Sequence, residues 1–120
     1  MWCGRWAPDV RVRSIHVWVG HRPAAHWELH AVVADVRRNR VVQLPNSFVF
    51  DHPEGALLYG TDQGNEVNSD TDRSTGRIRF GRVRCGRHPR ISFRVDARLG
   101  SELSDGDVLT VTGSFSASTS

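Results

Sequence analysis

Apolar and polar side chains alternate with a period of two along most of the chain, and clusters of Gly, Pro, Asn and Asp interrupt the alternation at short intervals. This pattern is typical of short antiparallel β-strands joined by turns, because successive side chains of a strand point to opposite faces of a sheet. Helix signals are nearly absent. We therefore predict an all-β fold of about eight antiparallel strands. Unequal strand and loop lengths favour a β-sandwich, with a small closed β-barrel as the alternative.

The predicted strands cover most of the chain. Between residues 10 and 20 the parity of the apolar positions changes at Arg13–Ser14, which predicts a β-bulge. The next predicted strand is 26–36, and Pro45–Asn46 marks a bend between two further short strands. Residues 61–76 have no periodicity and are predicted to be the longest loop. The other predicted strands are 56–60, the two arms of a hairpin within 76–99, and 108–116.

The length of 120 residues indicates a single β domain, 1–120, in which 1–8 and 116–120 are expected to be flexible ends. No apolar run is long enough to span a membrane, and the first residues lack the apolar segment of a secretory signal. We therefore expect a soluble, cytoplasmic protein. In that compartment Cys3 and Cys85 are expected to be free and reduced, with a disulfide as the alternative.

The hairpin within residues 76–99 is rich in arginine. All sixteen basic residues of the chain are Arg, and seven of them lie between Arg77 and Arg94. Like charges directly across a strand pair are destabilising, so carboxylates, a bound anion, or water and salt must neutralise them. Guanidinium groups suit phosphate and carboxylate because they donate in a fixed fork. The alternation places five arginines on one face around Asp96, and we predict this face to bind an anion or a partner: Arg77, Arg79, Arg90, Arg94 and Arg98.

The leading hypothesis is therefore a binding or interaction module whose partner is a protein or an anionic ligand. A solvated face, neutralised by Asp96 and nearby acids, is the simpler alternative. Nucleic acid is less supported, because Phe80 and Phe93 alternate towards the core side and cannot stack on bases. The net charge of +3 is also low for a nucleic-acid binder. No membrane partner is expected, and a homodimer formed through a sheet face is a further alternative.

A second candidate site combines histidine and tryptophan. On strands, His26, Glu28 and His30 share one face, and a hairpin through residues 20–25 would bring His16 close to His26 or His30. His26 and His30 lie about 13 Å apart on a straight strand, too far to share one metal ion. If this face lined a barrel lumen, it would suit a cofactor-independent enzyme of the cyclase or isomerase type, or a small-ligand carrier. The pocket residues would be His16, Trp18, His26, Glu28 and His30.

The loop predicted at residues 61–76 is rich in oxygen donors. Calcium prefers several oxygen ligands from a flexible loop, although the regular spacing of an EF-hand is missing here. The candidate calcium ligands are Asp62, Glu66, Asp70 and Asp72, and the same acids could instead neutralise the arginine hairpin. No other cofactor is implied. The chain has no nucleophile-elbow, P-loop, dinucleotide-binding or zinc-protease motif, so the question of enzymatic activity stays open.

Overall fold

Nine strands and one short helix make up the computed structural model, which describes residues 1–5, 7–20, 26–49, 53–62, 64–102, 106 and 108–119. The strands are β1 (Trp2–Gly4), β2 (Ser14–Val19), β3 (His26–Val32), β4 (Val41–Leu44), β5 (Ala56–Asp62), β6 (Asn65–Asn68), β7 (Thr75–Arg84), β8 (Arg90–Gly100) and β9 (Val108–Ser118), and the helix is α1 (Val33–Arg38). All strand pairs in this set are antiparallel. The all-β prediction is confirmed.

The strands follow one open path that folds into two halves. The order is β1-β2-β3-β5-β6-β8-β7-β4, and β9 pairs with the other side of β8. Strands β6 and β8 share a single register pair, Asn68 and Gly100, so the path divides there. We call β1, β2, β3, β5 and β6 half A, and β4, β7, β8 and β9 half B. The sheet does not close on itself, which confirms the β-sandwich and makes the barrel alternative wrong.

One apolar core lies between the two halves. Half A contributes side chains such as Leu29 and Leu58, and half B contributes Ile78 and Val95, all of which are buried in one cluster. Trp27 of β3 packs against Phe115 of β9, with ring centroids 4.8 Å apart. Burying each large apolar side chain contributes about 1.5–3 kcal/mol, so this shared core holds the halves face to face. Each half therefore keeps a second, outer face.

The alternation of β8 places its faces as predicted. Five apolar residues are buried in the core, and the arginines between them are exposed. Strand β9 behaves in the same way, because Val111 is buried while its threonines and the serines at its C-terminal end are exposed. Period-two patterns such as these are reliable when one face is buried.

Two local predictions were wrong where a short apolar run was interpreted as strand. Strand β2 begins at Ser14, so the parity change at Arg13–Ser14 marks the start of the strand and not a bulge. Strand β3 ends at Val32, and 33–38 forms helix α1, which buries Val33 and Val36. Short apolar runs do not distinguish strand from helix by periodicity, and the spacing of three between these valines fits one helix face.

The predicted loop at 61–76 is partly structured. Strand β5 continues to Asp62 and forms a hairpin with β6, so the prediction of a loop is wrong for residues 65–68. The turn after β6 is held by Asn68, whose Oδ1 accepts hydrogen bonds from the backbone N–H groups of Asp70 (2.9 Å) and Thr71 (3.1 Å). Conversely, the strand predicted at 47–50 is not formed over residues 47–49, of which only Val49 takes part in an isolated bridge, and residue 50 lies outside the described residues.

The two cysteines form a disulfide. Cys3 of β1 is bonded to Cys85, which follows β7, and their Cα atoms lie 5.9 Å apart. The expectation of free thiols was therefore wrong, because the fold brings together two residues that are 82 positions apart in sequence.

Parts of both chain ends that we expected to be flexible lie in paired strands, namely β1 and the last residues of β9. None of the described helical structure is both long and apolar enough to cross a membrane.

Candidate functional sites on the two outer faces

The two halves of the sandwich carry opposite charge. The strands of half B contain seven arginines and one carboxylate, Asp96, which gives +6. The strands of half A contain no arginine and three carboxylates, Glu28, Asp62 and Glu66. Since the whole chain carries only +3, its modest net charge conceals this segregation. The outer faces are therefore the places to look for binding sites.

The arginine face is the outer face of half B. Strand register places Arg79 directly opposite Arg94, and Arg84 directly opposite Arg90. Arg77 lies opposite Asp96, the one carboxylate of these strands. The structure thus brings all five predicted arginines to one exposed face and adds two more. The arginine face consists of Arg77, Arg79, Arg82, Arg84, Arg90, Arg94 and Arg98.

A β-bulge in β7 explains why two arginines were missed. The register shifts between Phe80 and Val83, so that two residues of β7, Gly81 and Arg82, oppose Ser92 of β8. Without the bulge, strict alternation would turn Val83 outward and Arg84 towards the core. The bulge reverses that parity, and as a result Val83 is buried and Arg84 is exposed. A valine out of step with the preceding Ile78 and Phe80 was the sequence signal for it.

Two depressions lie on the arginine face. The first, of about 390 Å³, is lined by residues that include two arginines, three serines and three phenylalanines: Arg79, Arg94, Ser92, Ser114, Ser116, Phe80, Phe93 and Phe115. The Arg94 guanidinium donates a hydrogen bond to Ser114 Oγ (3.4 Å). The second, of about 420 Å³, is lined by residues that include Gln43, Thr75, Arg77, Asp96, Arg98 and Thr110. Paired guanidinium groups with nearby hydroxyls are a suitable set of donors for an anion.

These arginines have no carboxylate partner in the described part of the chain. The ion pairs found there join Arg38 to Asp35 and His30 to Glu28, and neither involves the arginine face. Glu66 and Asp70 line a concavity together with Tyr59 of half A, so they do not neutralise the arginines. Besides Asp96, the described residues provide no carboxylate that is shown next to these arginines, so water, salt or a bound anion can neutralise the remaining charge.

The His/Trp face is the outer face of half A. Strand register places His16 opposite His30, and Glu28 lies between Trp18 on β2 and Tyr59 on β5. The predicted approach of His16 to His30 is therefore present, with ring centroids 3.8 Å apart. Because this face lies outside the core, the predicted pocket residues do not line a barrel lumen. The predicted pocket residues on this outer face are His16, Trp18, His26, Glu28 and His30.

Hydrogen bonds and burial determine the charge of the two central histidines. A hydrogen bond joins His30 Nε2 and Tyr59 Oη (3.0 Å), and Glu28 Oε2 lies 3.6 Å from the same nitrogen. Burial, together with the neighbouring His30, lowers the pKa of His16 to about 4. Burial also lowers the pKa of His30, although Glu28 opposes this shift. Both imidazoles are consequently neutral at pH 7.

Two concavities adjoin this network. One, of about 460 Å³, is lined by His26, Glu28, Tyr59, Gly60, Thr61, Gly64 and Glu66. A hydrogen bond between His26 Nδ1 and Thr61 Oγ1 (3.1 Å) lies at its edge. The other, of about 250 Å³, shares Tyr59 and Glu66 with the first and is also lined by Phe48, Leu57, Asn68 and Asp70. Tyr59, Thr61 and Asn68 had not been predicted, since only the register of β5 and β6 reveals them.

The candidate calcium ligands are spread over several elements. Glu66 lies in β6, Asp70 and Asp72 follow it in the turn, and the Asp62 side chain is outside the described atoms. No three His, Cys, Asp or Glu side chains among those described are grouped closely enough to hold a metal ion. The calcium site remains a prediction.

Comparison of the chain with protein-family models, with curated proteins and with solved structures found no match.

Proposed function

We propose that the protein is a binding module whose arginine face docks on an extended anionic partner. The observation that carries this proposal is the pairing of Arg79 with Arg94 and of Arg84 with Arg90 across the ladder, with no carboxylate partner among the described residues. Each like-charge pair opposes folding by about 0.2–1 kcal/mol, and a bound anion turns that repulsion into attraction.

The spacing of the depressions favours a partner with several charges. Arg94 and Arg98 belong to different depressions and lie four residues apart on β8, about 13 Å along the strand. One phosphate or carboxylate cannot bridge that distance. An acidic protein segment fits better than a nucleic acid, because Phe80 and Phe93, the aromatic residues of β7 and β8, are buried and cannot stack on bases.

Chromatography on immobilised poly-L-glutamate tests the proposal. We expect salt-dependent retention that is lost in the double variant Arg79→Glu/Arg94→Glu. The control is Arg5→Glu/Arg11→Glu, which changes the net charge equally at two exposed positions outside the arginine face. Equal loss of retention in both double variants would show that net charge alone is responsible and would refute the proposal. Parallel columns of single-stranded DNA and polyphosphate separate an acidic protein partner from other polyanions.

We also propose a compartment other than the cytoplasm expected from the sequence. The Cys3–Cys85 disulfide favours an oxidising compartment over the cytoplasm, where thiols are kept reduced. Counting the free thiols in protein extracted under alkylating conditions from its native cells distinguishes the two. Two alkylated cysteines would support the cytoplasm, and none would support an oxidising compartment.

A further inference from the structure

The larger concavity on the His/Trp face is lined by two acidic side chains and a tyrosine, in contrast to the arginine face. Glu28 of β3 lies directly opposite Tyr59 of β5, and Glu66 of β6, which lies opposite Thr61, lines the same concavity from the other side of β5. No arginine occurs in any strand of half A. We propose that this concavity binds a ligand carrying an ammonium group, held against the Tyr59 ring between Glu28 and Glu66.

Tyr59 supplies the aromatic ring of the site, next to Glu28. Neighbouring strands lie about 4.8 Å apart, so Glu28 and Tyr59, which are direct cross-strand partners, flank one narrow space. A cation is attracted to the face of a tyrosine ring when it lies within about 6 Å of the centroid. The hydrogen bond between Tyr59 Oη and His30 Nε2 and the contact between their rings (centroids 5.1 Å apart) hold the tyrosine in place.

Among the described residues, no arginine forms an ion pair with the carboxylates of the site. His30 Nε2 lies 3.6 Å from Glu28 Oε2, and this imidazole is neutral at pH 7 because burial lowers its pKa. His16, which stacks on His30, is neutral for the same reason, and Trp2 covers its other side with a ring contact of 4.8 Å. Glu28 therefore keeps its attraction for a cation. A neutral hydroxylated ligand would gain only hydrogen bonds from the same groups.

Trp18 extends the site on the other side of Glu28. It is the direct cross-strand neighbour of Glu28 on β2, and 55% of its surface is exposed. Its indole ring is therefore accessible, and Trp has the best ring face for a cation. The ligand class is thus an organic ammonium compound, and not a metal ion, for which the described residues offer no group of ligands.

Isothermal titration calorimetry with two ammonium probes and one neutral probe tests this inference. Choline represents a quaternary ammonium group, n-butylammonium a primary one, and 3,3-dimethyl-1-butanol has the shape of choline without its charge. We expect at least one ammonium probe to bind at low salt, and the neutral alcohol to bind at least tenfold more weakly than choline if choline is the ligand. Absence of heat from both ammonium probes overturns the proposal. Equal binding of choline and the neutral alcohol also overturns it.

Matched variants locate the site. Glu28→Gln and Glu66→Gln should each weaken the bound ammonium probe at least tenfold, whereas Glu54→Gln, at an exposed acid outside the concavity, should leave it unchanged. Tyr59→Leu should abolish binding, while Tyr59→Phe, which keeps the ring, should retain most of it. Circular dichroism confirms folding, and the exposed Glu66 provides the test if a variant at the half-buried Glu28 fails to fold. Equal effects of Glu54→Gln and Glu66→Gln would contradict the proposed place.

The site is independent of the proposed function. The variant Arg79→Glu/Arg94→Glu lies on the opposite outer face and should leave ammonium binding unchanged, and Glu66→Gln should leave retention on poly-L-glutamate unchanged. Each proposal can therefore fail while the other holds.

Discussion

Removal of the Cys3–Cys85 disulfide should destabilise the protein strongly. The bond closes a loop of 82 residues in an unfolded chain that would otherwise be free. The chain-entropy relation for a loop of this length gives a contribution of about 4.5 kcal/mol to the free energy of unfolding. For a domain whose total stability is on the order of 5–15 kcal/mol, this is a large part. Strand β1 depends on it most, since it pairs only through three residues with β2.

The perturbation is the double substitution Cys3→Ser/Cys85→Ser, and the assay is equilibrium unfolding in urea. We expect the free energy of unfolding to fall by about 3–5 kcal/mol and the slope to rise, because an unfolded chain without the cross-link is less compact and exposes more surface. The wild-type protein in reducing buffer should show the same fall, which controls for the serine side chains. A thiol assay of the unfolded, unreduced protein should detect no free cysteine.

A second consequence connects the disulfide with the His/Trp face. Without the bond, β1 can detach, and Trp2 then no longer covers His16. Because burial is the main cause of the low pKa of His16, exposure should raise this pKa from about 4 towards the ordinary value of about 6.5. Titration of the histidine ring protons by NMR measures this shift. Two titratable thiols in unreduced protein, or identical midpoints with and without reductant, would refute the reasoning.

Two further predictions concern charge. Arg79→Glu places a carboxylate opposite Arg94 and should stabilise the fold by about 0.5–1 kcal/mol in thermal unfolding, because it converts a like-charge pair into an opposite one. The same change at exposed Arg5 should have no such effect, and a lower melting temperature for Arg79→Glu would contradict the predicted repulsion. Acid should destabilise the protein between pH 6.5 and 4, since unfolded His16 binds a proton in this range and folded His16 does not. Allowing for solvent screening, the loss from His16 is about 2 kcal/mol, and His16→Gln should remove that part of the slope in urea midpoints measured from pH 7.5 to 4.

The alternation of side chains was enough to predict the all-β fold and the two faces of its longest strands, while the unequal strand and loop lengths favoured the sandwich over the barrel. In β8 a buried apolar side chain follows each polar one, and a shift of one residue would expose the whole set, so the local pattern and the fold agree. The same alternation did not predict where β3 ends and α1 begins. Residues 33–36 continue an apolar run in sequence but turn into α1, because Val33 and Val36 can both reach the core from one side of a helix.

The chemistry of the molecule, in contrast, depends on which strands become neighbours. Tyr59 and Glu66 have no distinguishing sequence context, yet the register of β5 places Tyr59 opposite Glu28, and the pairing of β5 with β6 brings Glu66 to the same concavity. The bulge in β7 turns Arg84 towards Arg90, and the packing of the two halves brings Cys3 to Cys85 across 82 positions. Alternation along one strand shows which side chains share a face of that strand, but it does not show which strand lies next to it. Cross-strand pairing is a property of the assembled sheet, and so the separation of a cationic face from an acidic, aromatic one was decided by the tertiary structure.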